Sequence, residues 1–296
     1  MTSRWLIIGA SGFIGSHLFA RIGPSMALGT CYATPVAGTR PFTPGVMKVA
    51  DLIRDQGRFS HAFVLHGMTR LDPCAADRAR SDEVNVLGTQ RLLEELFEQG
   101  IKPVFTSSDM VFDGRKGNYL ETDPVGPLAT YGEQKVRIET FLRESGREHL
   151  VLRLPKVYSK TPGTQTLFDE WLGAIDRGDL IRLAQDQRFC PVAVEDLVVA
   201  LEAAARLDLS GTYHCGGPET LTRLQMFQHL RNALERRFGP LEGLRMAVCG
   251  INDFPFLEPR PIDISMDSGR FRQATGLTMG RVETMAHHFV QSLQRP

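Results

Sequence analysis

The sequence predicts an α/β protein in which a doubly wound, Rossmann-type parallel sheet is followed by a smaller C-terminal lobe. Two observations carry this reading. Apolar runs of strand length alternate with helical periodicities up to Leu154, the pattern of a parallel sheet covered on both faces. Beyond Pro155 the alternation loosens. The expected division is therefore 1–154 for the sheet domain and 155–296 mostly for the lobe, with the helix near 195–207 returning to the sheet.

The first element organises the others. Trp5-Leu6-Ile7-Ile8 reads as a buried strand, Gly9 to Gly15 as a glycine turn, and the run containing Phe13, Ile14, Leu18 and Phe19 as a helix. Gly9, Gly12 and Gly15 form G-x-x-G-x-x-G. Small residues there let the backbone approach a pyrophosphate, and the helix offers free N–H groups and the positive end of its dipole. Met26 to Tyr32 is a second strand. No acidic residue stands at its end to take a ribose 2′-hydroxyl; the first acid in the chain is Asp51. Arg40 follows, able to meet a 2′-phosphate, so NADP(H) is favoured and NAD(H) is the alternative. Met47 to Leu52 reads as a short third strand, and His61 to Gly67 as the next. Asp82 to Gln99 reads as a helix with Gly100 as its cap. Pro103 to Ser108 is a strand. Leu128 to Glu144 is a helix with Thr130 and Glu133 at capping-box spacing. Leu150 to Leu154 is a further strand.

In the lobe, a helix near 164–177, a strand at Leu180–Ala184 and a helix at Glu195–Leu207 are expected. A strand at Gly211–Cys215, a helix at Leu221–Phe238 and a last helix near 281–294 complete it. Lys plus Arg equals Asp plus Glu at 34 each, so no basic field points to nucleic acid. No apolar run has the length of a membrane span. The five cysteines are scattered and odd in number, which suggests reduced thiols and a cytoplasmic setting. No cluster has metal-ligand spacing; His287 and His288 are adjacent and face different ways on a helix.

Tyr131 and Lys135 are four residues apart, which puts a phenol and an ammonium on one helix face. A free phenol titrates near pH 10, and a neighbouring ammonium favours the phenolate. A tyrosine tuned in this way can exchange a proton with a carbonyl oxygen. Ser107, Ser108 and Asp109 end a strand at the carboxyl edge of the sheet, where ligands bind in such folds.

These residues resemble the extended short-chain dehydrogenase/reductases, and within them the group of dTDP-4-dehydrorhamnose reductase and related sugar epimerases. Ser107-Ser108-Asp109-Met110-Val111-Phe112-Asp113-Gly114 is similar to that group's S-T-D-Y-V-F-D-G. Val84-Asn85-Val86-Leu87-Gly88-Thr89 matches V-N-V-x-G-T. Asp186 to Pro191 resembles D-Q-x-G-x-P, and Arg260 to Asp267 resembles R-P-x-x-S-x-L-D. The resemblance implies a hydride-transferring enzyme with Ser108 polarising a carbonyl, Tyr131 as general acid, and Lys135 as tuner and ribose ligand. It implies cofactor contacts from Gly9, Ser11, Gly12, Phe13, Ile14, Gly15, Arg40, Asp51, Leu52, His66, Gly67, Met68, Tyr131 and Lys135. Asp109, Met110, Phe112 and Arg260 would meet a nucleotide-sugar substrate, Arg260 through a phosphate. Family members are often dimers.

Two departures matter. Met110 stands where the group has tyrosine, and Leu154-Pro155-Lys156-Val157-Tyr158 and the glycine loop look more like epimerases. The leading expectation is reduction of a 4-keto nucleotide sugar with NADPH or NADH. An epimerase that retains NAD, and a non-catalytic NADP-binding subunit, stay open beside it.

Overall fold

A computed structural model of the chain describes residues 4–294. Seven parallel strands form one sheet in the order β11-β6-β5-β4-β1-β2-β3. In chain order the first half is β1 (Arg4–Ile8), α1 (Phe13–Ile22), β2 (Ala27–Cys31), β3 (Thr39–Pro41), α2 (Val49–Leu52), β4 (Phe59–Val64), α3 (Leu71–Ala76), α4 (Arg78–Asp82), α5 (Gly88–Glu98), β5 (Lys102–Ser108), α6 (Thr130–Glu144) and β6 (Leu150–Leu154). The second half is β7 (Val157–Tyr158), α7 (Leu167–Arg177), β8 (Ile181–Ala184), β9 (Arg188–Phe189), β10 (Val192–Ala193), α8 (Val194–Arg206), β11 (Gly211–His214), β12 (Leu221–Thr222), α9 (Arg223–Phe238), β13 (Met246–Cys249), α10 (Gly269–Thr275) and α11 (Val282–Gln291).

The central strands are mostly apolar and almost wholly buried because both faces of the sheet are covered. One core packs Trp5, Ile7, Phe63 and Leu152 against α1 and α8. The opposite core packs Leu6, Ile8, Phe105 and Val151 against α5 and α6. A third cluster, centred on Tyr158, Phe168, Trp171 and Phe289, builds the lobe. Strand β11 and helix α8 lie beyond residue 155 but belong to the layers of the sheet.

Several expectations are corrected. Met47–Leu52 is not a strand. Val49–Leu52 forms one helical turn, and the third strand is Thr39–Pro41, a short edge strand whose polar residues and proline hide it from any apolar pattern. The 82–99 helix is broken by a π turn at Glu83–Leu87. The Thr130–Glu133 capping box does not form. Ala129 is the N-cap of α6, and the Thr130 amide and hydroxyl both donate to Glu258 instead. Strand β13, unforeseen in the tail, pairs with β8.

Candidate active site

The carboxyl ends of β1, β4, β5 and β6 open onto one cavity of about 450 Å³. Its floor begins with the turn after β1. The N-cap of α1 is Gly12, which has no side chain to satisfy the first helical N–H groups, so that turn stays available to an anion. Gly15 is required for packing: a Cβ there would stand 2.1 Å from the Gly9 carbonyl oxygen. Any side chain would push α1 away from β1 and open the turn.

The wall after β4 is His66 and Gly67. A Cβ on Gly67 would meet Asn85 Oδ1 at 2.9 Å, and the φ of +138° there favours glycine. Asn85 fastens this loop. Its Oδ1 accepts from the Met68 amide at 2.7 Å, and its Nδ2 donates to the Met68 carbonyl at 2.9 Å and to Gln134 at 2.7 Å. The π turn that interrupts the helix carries Asn85, a frequent association of π turns with functional positions. His66 accepts or donates at 3.2 Å to Thr89, and burial pushes its imidazole down to about 4, so it is neutral.

The third wall carries the polar groups. Strand β5 delivers Ser108 and Asp109; the first turns of α6 deliver Tyr131 and Lys135. Ser108 donates to Asp109 at 3.0 Å and accepts from the Met110 amide at 3.2 Å. Lys135 Nζ donates to the Thr106 carbonyl at 2.8 Å and stands 5.5 Å from the Tyr131 ring centroid. Burial, reinforced by the Asp109 charge, pushes the Tyr131 phenol well above its ordinary value, and a hydrogen bond with Ser108 opposes the shift. The lowering expected from Lys135 is not among the causes that act on the phenol; desolvation dominates. Burial likewise brings Lys135 down to about 8 and raises Asp109 to about 7. The phenol is thereby held protonated.

Beneath this wall lies a buried ion pair. Arg153 on β6 donates to both oxygens of Glu139 on α6, at 2.7 Å from Nη2, and Glu139 accepts from Ser107 at 2.5 Å. Both side chains are only 6% exposed. The Glu139 charge favours the protonated form of Lys135, one turn away.

The lobe closes the cavity with Lys156, Gln187, Phe189, Arg223, Phe256 and Arg260. Arg260 is 7% exposed, forms an ion pair with Asp72, and lies over the Phe256 ring at 4.3 Å. Of the residues singled out in the sequence, Gly12, Phe13, Ile14, Gly15, His66, Gly67, Ser108, Asp109, Met110, Tyr131, Lys135 and Arg260 line the cavity together. Gly9, Ser11 and Met68 are not on its wall. Arg40 stands at the sheet edge, its Nη1 3.5 Å from the Leu52 carbonyl. Asp51 is exposed and paired with Arg54, and Leu52 is packed in the core. Phe112 is a correction: it is fully buried, stacked on Tyr119 at 4.0 Å, and outside the cavity. Lys156 lies in the Leu154–Tyr158 stretch already singled out, just past β6, whereas Arg223 and Glu258 carried no sequence signal because each reaches the site from a distant segment.

A family model described as the RmlD substrate binding domain matches residues 3–295. The dTDP-4-dehydrorhamnose reductase of Sinorhizobium fredii is 25% identical over 239 residues, 77% of this chain and 79% of its own. Methionine adenosyltransferase 2 subunit beta of Mus musculus is 27% identical over 244 residues, 75% of this chain and 70% of its own. Among solved structures, dTDP-4-dehydrorhamnose reductase from Bacillus anthracis in complex with NADP aligns with a TM-score of 0.83 at 20% identity, over 99% of this chain and 100% of that one.

Proposed function

The chain belongs to the RmlD substrate binding domain family, and from that premise we propose that it is an NADPH-dependent reductase of the 4-keto group of a nucleotide-activated deoxy sugar, with NADH as the alternative reductant. One observation carries this reading: a hydroxyl, a phenol and an ammonium, on Ser108, Tyr131 and Lys135, share a single wall of the cavity that the glycine turn opens into.

The residues fit a dinucleotide. The uncapped start of α1 and the side-chain-free contact of Gly15 with Gly9 suit a pyrophosphate. The absence of an acid at the end of β2, together with Arg40 on the neighbouring strand, suits a 2′-phosphate. When bound, the reduced nicotinamide supplies a hydride to the carbonyl carbon. Ser108 donates a hydrogen bond to the carbonyl oxygen. Tyr131 gives that oxygen its proton, and the Lys135 ammonium stabilises the phenolate left behind. Asn85 and Glu139 hold the surrounding loop and strand so that this wall keeps its geometry.

The test is loss of the reduced-nicotinamide absorbance on adding dTDP-4-keto-6-deoxy sugar and other 4-keto nucleotide sugars to the protein with NADPH. Turnover by wild type, lost in Tyr131→Phe while NADPH is still bound, supports the reading. Tight NADPH binding with no turnover of any member of the panel overturns it.

A further inference from the structure

Two cations in the cavity have no use in the reduction. Lys156 follows β6, and Arg223 opens α9; both line the cavity. Among the described residues neither side chain forms a hydrogen bond or an ion pair. Arg223 Nε is shielded from solvent and has no partner at all. The other two cations on the cavity wall are engaged: Lys135 with the Thr106 carbonyl and Arg260 with Asp72. Glu170 is exposed at the start of α7 and acts on Lys156 and Arg223 only through space.

A guanidinium donor held away from water without an acceptor is costly to keep, and a planar fork is matched by a carboxylate. The position of the pair matters as much as its charge. Ser108 pairs with Leu154 across β5 and β6, so the chain leaves the sheet at Lys156 beside Ser108 and Asp109, and Asp109 feels the Lys156 charge. A neutral sugar offers hydroxyl acceptors but no charge to match the two cations.

We infer that Lys156 and Arg223 form a receptor for a carboxylate carried by the sugar itself, so that the substrate is an acidic nucleotide sugar. The inference rests on the nucleotide-sugar part of the reading above and sets an acidic sugar in place of the deoxy sugar named there. It adds no chemical step, because the carboxylate is bound and not transformed.

The test is calorimetric titration of the NADP-saturated protein with UDP-glucose, UDP-glucuronic acid, their dTDP counterparts, and free UDP and dTDP. Wild type is expected to bind a uronate about tenfold or more tighter than the matching hexose, as for one charge-assisted pair. Arg223→Met and Lys156→Met are each expected to remove that preference and leave hexose affinity unchanged, with circular dichroism unaltered. Equal affinity of wild type for hexose and uronate overturns the inference alone. Variants that weaken free nucleoside diphosphate as much as uronate overturn it too, since the cations would then serve the diphosphate. Failure of folded wild type to bind any of these probes overturns the inference together with the nucleotide-sugar reading.

Discussion

Glu258 caps the helix that carries Tyr131. Its carboxylate accepts from the Thr130 amide at 3.0 and 3.1 Å and from the Thr130 hydroxyl at 2.7 Å, across 128 residues of chain. The helix therefore starts one residue before its phenol, under the control of the distant tail. Glu258→Ala is expected to cost about 1 kcal/mol of stability, the usual loss for a helix cap. Turnover is expected to fall further than that cost alone explains, because Tyr131 sits in the unsupported first turn. Glu258→Gln, which keeps an acceptor, restores most of both. Thermal melts and NADPH oxidation rates on the same preparations check this.

Asp109 makes stability depend on pH in an unusual direction. Its carboxyl is raised to about 7 in the fold, from the ordinary 3.8, because burial penalises the charge. Between those values the folded chain holds a proton that the unfolded chain releases, so this group's contribution is lost as pH rises through the window. Asp109→Asn keeps the acceptor for Ser108 and removes the titration. The variant should match wild type near pH 4 and become the more stable of the two by pH 7 to 8. His66 and His214, both lowered to about 4 by burial, act in the opposite sense and are common to both proteins. Denaturant midpoints of the pair across pH 4–8 measure the difference.

The Glu139–Arg153 pair is a place where a single change should be worse than two. Removing one partner leaves the other charge buried and unpaired, which costs about 3–5 kcal/mol. Glu139→Met and Arg153→Met should each fall in that range by urea unfolding. The double variant should recover much of the loss, since no charge then remains without its partner.

Arg40 is the test of the 2′-phosphate reading. Arg40→Ala is expected to raise the Kd for NADPH about tenfold, the scale of one charge-assisted contact, and to leave NADH binding unchanged. Equal effects on the two nucleotides would remove Arg40 from the 2′-phosphate site. Fluorescence titration of both at fixed ionic strength decides it.

What could be read from the sequence was local. The strand–glycine–helix start needs only neighbouring residues, and Tyr131 and Lys135 share a face by helical spacing alone. The buried strands announce themselves because both faces are covered. What escaped was either weakly patterned or assembled from a distance. Thr39–Pro41 has too few apolar residues to register as a strand, and Val49–Leu52 is too short to separate a helical turn from an extended run. The Thr130–Glu133 spacing was a valid local signal, but Glu258 competes successfully for the same N–H. Lys156 and Arg223 meet only because the lobe folds over the sheet edge.

The reach of Glu258 also bears on the order of events during synthesis. All seven strands of the sheet are present once His214 has been made, 44 residues before Glu258. The segment that supplies Glu258, the Asp72 partner Arg260, and the Asp263 amide bonded to the Gly114 carbonyl arrives later. A nascent chain can therefore complete its sheet before the helix bearing Tyr131 is fastened at its start. The wall that carries Tyr131 is finished only when the last eighth of the polypeptide begins to emerge. A chain truncated after α9 would keep the strands of the sheet and lack the clasp, leaving a cofactor fold with a slack site.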